Sequence, residues 1–270
     1  MSVYSPLLLD GVQLATYSSG SGELPVVFQH GLCGDHMQIE AVFPQDVNCQ
    51  LMTLECRGHG QSEAGKPEHL SISTFADDVI EMAARAGFSR FVMGGISMGA
   101  AISLRMTVKH PELVSGLILG RPAWVCEKAP GNMKYMAKIG ALLSAMSGDD
   151  ARAEFIALPE AVELSRISPD NYKGLLAFFD RKPRLVTSDL LTRISDDGPG
   201  VSKEELGQIK VPTLIVGTQE DVVHPMSYAA QLAKLIPNAM LVEITSKSHD
   251  LTAYTAEFQT VISSFLREFS

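Results

Sequence analysis

Gly95-Ile96-Ser97-Met98-Gly99 carries the strongest chemical signal in this chain. It follows the apolar run Phe91-Val92-Met93 and precedes a helical pattern from Ala100 to Leu104, so G-x-S-x-G stands in a strand, turn, helix context. A sharp turn there lifts the Ser97 hydroxyl above the sheet edge, and the glycines let backbone and helix approach without a Cβ clash. The helix N-terminus favours developing negative charge. The chemistry this suits is acyl transfer through a serine nucleophile. Its tetrahedral oxyanion needs two N–H donors, one from the residue after the nucleophile and one from a neighbouring loop. Met98 N–H and Leu32 N–H are the expected pair, Leu32 lying in Phe28-Gln29-His30-Gly31-Leu32 at the end of a second apolar strand.

A serine hydroxyl needs a base, and the chain has seven histidines: His30, His36, His59, His69, His110, His224 and His249. His249 is expected in that role. It sits in the polar turn Ser246-Lys247-Ser248-His249-Asp250 directly after a strand, and loops at the carboxyl ends of parallel strands gather on the side where Ser97 is presented. The base needs a carboxylate to hold its tautomer and stabilise the imidazolium. Glu220 and Asp221 both follow the strand Thr213–Val216. Asp221 is preferred, as the usual acid type and as the residue four before the helix-starting Pro225. The expected triad is Ser97, Asp221 and His249.

Short β-rich runs alternate with longer helical patterns, the signature of an α/β protein with a mostly parallel sheet wrapped by helices. Strands are predicted near Leu7–Leu9, Gln13–Tyr17, Pro25–Gln29, Gln50–Glu55, Phe91–Gly95, Val114–Leu119, Thr213–Val216 and Met240–Ile244, the first two joined in a hairpin at Asp10-Gly11. Helical spacing is clearest at Phe75, Val79, Met82, Ala83 and Ala86, and again from Phe258 to Leu266. Between Gly120 and Leu206 the alternation breaks into proline-punctuated helical pieces, which predicts a helical cap over 121–206 inserted in a core of 1–120 and 207–270. With 270 residues, 46% of them apolar, the chain can build one large domain carrying such an insertion, and disorder is excluded.

A net charge of −9 without a basic stretch argues against nucleic-acid binding. Cys33, Cys49, Cys56 and Cys126 form neither a C-x-x-C pair nor a zinc-ligand pattern. The N-terminal segment lacks the basic and apolar regions of a secretion signal, which points to the cytoplasm, and no run of about eighteen apolar residues predicts a membrane span.

The order Ser97, Asp221, His249, together with the Gly31 loop and Glu55-Cys56-Arg57-Gly58-His59-Gly60-Gln61-Ser62, resembles the α/β-hydrolase superfamily along the whole chain. That segment is similar to the family's post-strand D-x-R-G-x-G-x-S, with Glu for Asp at its head. The resemblance implies an eight-stranded sheet with the cap after strand six. It also implies hydrolysis of a small carboxylic ester or lactone through an acyl-enzyme, with no metal or organic cofactor. A serine nucleophile argues against the dehalogenase and epoxide hydrolase branches, which use Asp. Thioester or C–C bond hydrolysis, a lyase, and a small-ligand receptor retaining the triad are the alternatives. Some relatives carry their acid directly after strand six; Arg121 stands there instead. Arg121 is expected either to clamp a substrate carboxylate or to salt-bridge the cap. Trp124 is named for substrate contact among cap residues that could line an apolar pocket, Met133, Tyr135, Met136, Leu142, Met146, Phe155, Phe178 and Phe179 being the others, although most of the set is expected to form the cap's own core. A buried, inert thiol is expected for Cys33.

Overall fold

The structure, a computed structural model, describes residues 2–269. Strands β1 (Val3–Leu9) and β2 (Val12–Ser19) form the expected hairpin, with Asp10 and Gly11 at φ 51° and 77°, as a two-residue turn that follows strand twist requires. The remaining strands are β3 (Leu24–Gln29), β4 (Cys49–Leu54), β5 (Phe91–Ile96), β6 (Val114–Gly120), β7 (Thr213–Gly217) and β8 (Ala239–Glu243). They join in one eight-stranded sheet of order β1-β2-β4-β3-β5-β6-β7-β8, antiparallel at β1/β2 and β2/β4 and parallel from β4 to β8. All eight predicted strands are present, each displaced by a few residues at most.

Parallel strands must be joined by crossovers, and these supply the covering helices. α1 (His36–Val42) follows β3, α2 (Ile72–Arg85) follows β4 and α3 (Met98–Lys109) follows β5. α10 (Met226–Leu235) joins β7 to β8, and α11 (Leu251–Leu266) closes the chain. Because strand side chains alternate between faces, Val92 and Ile96 of β5 pack with α1 and α11, whereas Phe91 and Met93 point to the face covered by α2 and α3. Ser71 and Asp250 cap α2 and α11, each side chain accepting backbone N–H groups of its first turn.

Between β6 and β7 stand α4 (Lys134–Ala145), α5 (Gly148–Ala157), α6 (Pro159–Ile167), α7 (Pro169–Leu176) and α8 (Arg184–Ser195), followed by the short α9 (Lys203–Leu206). α4 and α8 pack closely, with Gly140 allowing contact: a Cβ there would lie 2.5 Å from Thr192 Oγ1. The apolar interior of these helices, including Ile139, Phe155 and Leu190, is continuous with the core around Met93 and Met98. Val201 and Leu206 pack instead with Ile215 and Leu232 of the sheet and α10.

Candidate active site

β5 is buried along its whole length and delivers Ser97 at φ 57°, ψ −111°, a conformation that L-residues seldom adopt. The surrounding glycines are forced by space. A Cβ on Gly95 would lie 2.4 Å from the Gly99 carbonyl carbon, and one on Gly99 would lie 2.2 Å from Gln29 O. Among the described residues, four of the six non-glycine residues with positive φ are Cys33, Ser97, Arg121 and Glu220. Each falls within four residues of the carboxyl end of β3, β5, β6 or β7. Backbone strain is therefore concentrated at one end of the sheet.

The histidine that meets Ser97 is His224. Its Nε2 lies 2.9 Å from Ser97 Oγ, while its Nδ1–H donates to Asp221 Oδ1 at 2.9 Å. The backbone N–H of His224 donates to the same Asp221 oxygen at 3.0 Å, so one carboxylate fixes both the turn and the ring. Asp221 Oδ2 accepts from Arg121 Nε at 2.7 Å. Ser97, Asp221 and His224 are thus in linear hydrogen-bond contact, with Ser97 and Asp221 each 8% exposed.

His249, expected as the partner of Ser97, lies elsewhere. It is exposed and lines a surface depression with Glu220, Glu243 and Glu257. The cause is local. Asp250 must cap α11, and the turn leading to it, in which His249 N–H donates to Ser246 O, sends Lys247 toward the Ser97 cavity and His249 outward. The sequence held a signal for the alternative. The loop after β7 also ends on the Ser97 side, and Asp221-Val222-Val223-His224 sets a histidine one short turn beyond the acid. Glu220, the other carboxylate considered, lines the outer depression with His249.

Electrostatics favour a neutral, accepting His224. Burial lowers its pKa, assisted by Arg121 and Lys247 and opposed by Asp221. Burial alone would raise the Asp221 carboxyl, but His224 and Arg121 outweigh it and hold it well below the usual carboxylate range. Arg121 therefore has a role the sequence did not suggest. It is neither free for a substrate nor bound to the insertion, but paired with the carboxylate that orients His224.

Leu32 N–H and Met98 N–H have no hydrogen-bond acceptor among the described residues, and Leu32 lines the cavity that Ser97 opens into. The Leu32 loop is set by Gln38, whose Oε1 accepts Gly31 N–H at 2.6 Å. Behind it, His30 Nδ1–H donates to Gly31 O and His30 Nε2 accepts Cys56 N–H, which commits that histidine to structure. Glu55 binds His36 Nδ1 at 2.9 Å and Gln61 N–H at 2.7 Å. The longer side chain at the head of the Glu55–Ser62 segment thus spans two loops.

The cavity has a volume of about 240 Å³. Its apolar wall is Met136, Leu175 and Phe178 from the insertion, together with Leu32 and Val223. Trp124 is absent from that wall. It is buried in the core, with its indole N–H donating to Asp197 O at 3.0 Å, because the chain turns inward directly after Arg121. Met133, Tyr135, Leu142, Phe155 and Phe179 are likewise buried side chains of the insertion's interior. Three insertion residues that sequence reasoning missed hold the loop bearing Asp221 and His224. Ser168 Oγ donates to Glu220 O at 2.6 Å, Asn171 Oδ1 accepts Val223 N–H at 2.9 Å, and Asn132 Nδ2 donates to Val223 O at 2.6 Å.

A doubly covered parallel sheet with a strained serine turn at its carboxyl edge is the architecture of the α/β-hydrolase superfamily, and the chain belongs to it. The family model for the alpha/beta hydrolase fold matches residues 25–143. A Rhizobium rhizogenes (strain K84) protein named "Putative carbamate hydrolase RutD" is 31% identical over 237 residues, covering 85% of this chain and 86% of its own. Among solved structures, a hydrolase from Pseudomonas aeruginosa PA01 superposes with a TM-score of 0.73 at 23% identity, covering 97% of this chain and 98% of that one. Est816, described as an N-acyl homoserine lactone degrading enzyme, gives 0.69 at 22% identity over 98% of this chain and 100% of its own. These two likenesses are of fold. No helix among the described residues is long and apolar enough to cross a membrane.

Proposed function

We propose that the protein is a serine hydrolase that cleaves a small carboxylic ester or lactone through an acyl-enzyme on Ser97. The observation that supports this is the continuous contact Ser97 Oγ to His224 Nε2, 2.9 Å, and His224 Nδ1 to Asp221 Oδ1, 2.9 Å, at the edge of a cavity. In this reading Ser97 Oγ attacks the carbonyl carbon as His224 Nε2 takes its proton. The oxyanion is received by Leu32 N–H and Met98 N–H, neither of which has an acceptor among the described residues. Collapse expels the alcohol, which takes the proton from His224. Water, deprotonated by the same nitrogen, then hydrolyses the acyl-enzyme. Asp221 keeps the proton on Nδ1 and stabilises the imidazolium, and Arg121 keeps Asp221 ionised. Residues 121–206 act as the cap that closes the site. A cavity of about 240 Å³, below the roughly 300 Å³ lower bound of drug-sized pockets, favours a small acyl group.

The relative named as a carbamate hydrolase favours a second substrate reading, since a carbamate differs from an ester only in the nitrogen on its carbonyl. A panel of short esters, lactones, thioesters and carbamates, assayed with the protein and with Ser97→Ala, separates the two. The expected result is turnover that Ser97→Ala abolishes, with a fluorophosphonate adduct on Ser97. Undiminished turnover by Ser97→Ala refutes the mechanism.

A further inference from the structure

Two cations border the Ser97 cavity, and the chemistry above uses only one. Arg121 is committed to Asp221. Lys247, delivered by the turn after β8, forms no ion pair among the described residues; its Nζ lies 5.0 Å over the ring of Tyr254, with Arg121 5.7 Å from the same ring. The groups acting on it are Arg121, which repels, and Asp170 and Asp221, which attract. Asp221 is saturated by His224 and Arg121. Asp170 is in the first turn of α7, where the helix terminus already favours its charge. A partly buried ammonium that lines the cavity and makes no ion pair among the described residues has lost hydration that Asp170 and Asp221, acting without direct contact, do not replace. A ligand carboxylate restores it as a charge-assisted hydrogen bond.

We propose that Lys247 is the substrate-recognition group of this cavity, and that the substrate is a small monoanion bearing a carboxylate on the same molecule as the carbonyl that Ser97 attacks. Asp170, which α7 of the insertion brings to the same cavity, sets the preference for one negative charge over two. The size of the cavity keeps the carboxylate within a few bonds of the reacting carbonyl. This inference rests on the proposed function in that the cavity is taken as the place where substrate sits.

Methyl hydrogen succinate carries the carboxylate on the acyl side, O-acetyl lactate carries it on the alcohol side, and methyl pentanoate and isopropyl acetate are neutral comparators. Their hydrolysis is followed by pH-stat with wild type, Lys247→Met and Lys247→Arg. At least one carboxylate ester should exceed its comparator tenfold or more in kcat/KM. That preference should vanish in Lys247→Met, chiefly through KM, and return in Lys247→Arg. The arm that shows it identifies the side bearing the carboxylate. Equal kcat/KM for charged and neutral esters in wild type, or a preference that survives Lys247→Met, overturns the proposal. Binding separates its failure from failure of the hydrolase reading. In calorimetric titration of Ser97→Ala protein with methyl hydrogen succinate and with O-acetyl lactate, adding Lys247→Met should weaken the affinity for at least one of them tenfold or more. Such a loss supports the subsite even if wild type hydrolyses no ester; failure of both to bind overturns it. Thermal melting of both Lys247 variants verifies that they fold.

Discussion

Replacing His224 with alanine tests the site assignment most directly, because position in the turn after the last strand favours His249 and geometry favours His224. In the folded protein His224 Nε2 is 2.9 Å from Ser97 Oγ, and no other histidine contacts that hydroxyl among the described residues. A positioned base contributes about 10²- to 10⁴-fold, and nucleophile and base act as one unit, so the loss should reach the upper end. At ~1.36 kcal/mol per tenfold, a 10⁴-fold loss is about 5.4 kcal/mol of transition-state stabilisation. The loop itself should survive, since Val223 and Glu220 keep their bonds to Asn132, Asn171 and Ser168. His249→Ala removes an exposed ring and should change kcat/KM by less than about twofold. The double variant should match His224→Ala alone. Stopped-flow hydrolysis of p-nitrophenyl acetate gives the rates, and the rate of fluorophosphonate labelling reads Ser97 activation independently of substrate. Retained labelling in His224→Ala, with labelling lost in His249→Ala, would refute the assignment.

Because burial lowers the His224 pKa, kcat/KM should rise with pH through one ionisation below the ordinary histidine value of about 6.5 and be level at neutral pH; a midpoint above that value in a pH–rate profile would contradict it. The same burial depresses His30 and His59, so the unfolded chain binds more protons below about pH 6.5. Stability is then full above that pH and is lost as pH falls through the depressed folded values, which Tm against pH should display. Arg121→Gln leaves Asp221 buried without its cation and should cost about 3 to 5 kcal/mol in chemical denaturation, while lowering kcat/KM alike for neutral and carboxylate esters. A selective loss on carboxylate esters would instead make Arg121 a substrate clamp. Burial pushes the Cys33 thiol up to about 11, so iodoacetamide near pH 7.5 should label it far more slowly than a free thiol, as peptide mass spectrometry would report.

The sheet was legible because its strands are short apolar runs bounded by turn residues, and Asp10-Gly11 could be read as a hairpin from its dihedral requirements alone. Ser97 was legible for the same local reason, since glycines at 95 and 99 are dictated by contacts under 2.5 Å. The partner of Ser97 was not. Which of two neighbouring loops presents its histidine depends on how Ser246–Asp250 turns into α11, and that depends on a cap and on packing distant in sequence. Arg121 illustrates the same limit. Its place at the end of β6 marked it as near the site, but its partner lies 100 residues away on β7's loop. Trp124 lies in the interior and not in the cavity wall: a large aromatic in an insertion can take either place, and here its burial, with the indole N–H bonded to Asp197 O, settles which.

The bonds from Ser168, Asn171 and Asn132 to the loop after β7 have a consequence for how this scaffold can diversify. Helical insertions between β6 and β7 suggest an exchangeable part, to be trimmed or swapped so as to reshape a pocket while the reacting groups stay put. Here the backbone that positions Asp221 and His224 takes three of its hydrogen bonds from that part. A graft from a relative would have to bring matching donors and acceptors at these three places, or His224 would lose its registration with Ser97. Pocket shape and the placing of His224 against Ser97 are inherited together, and neither can drift far without the other.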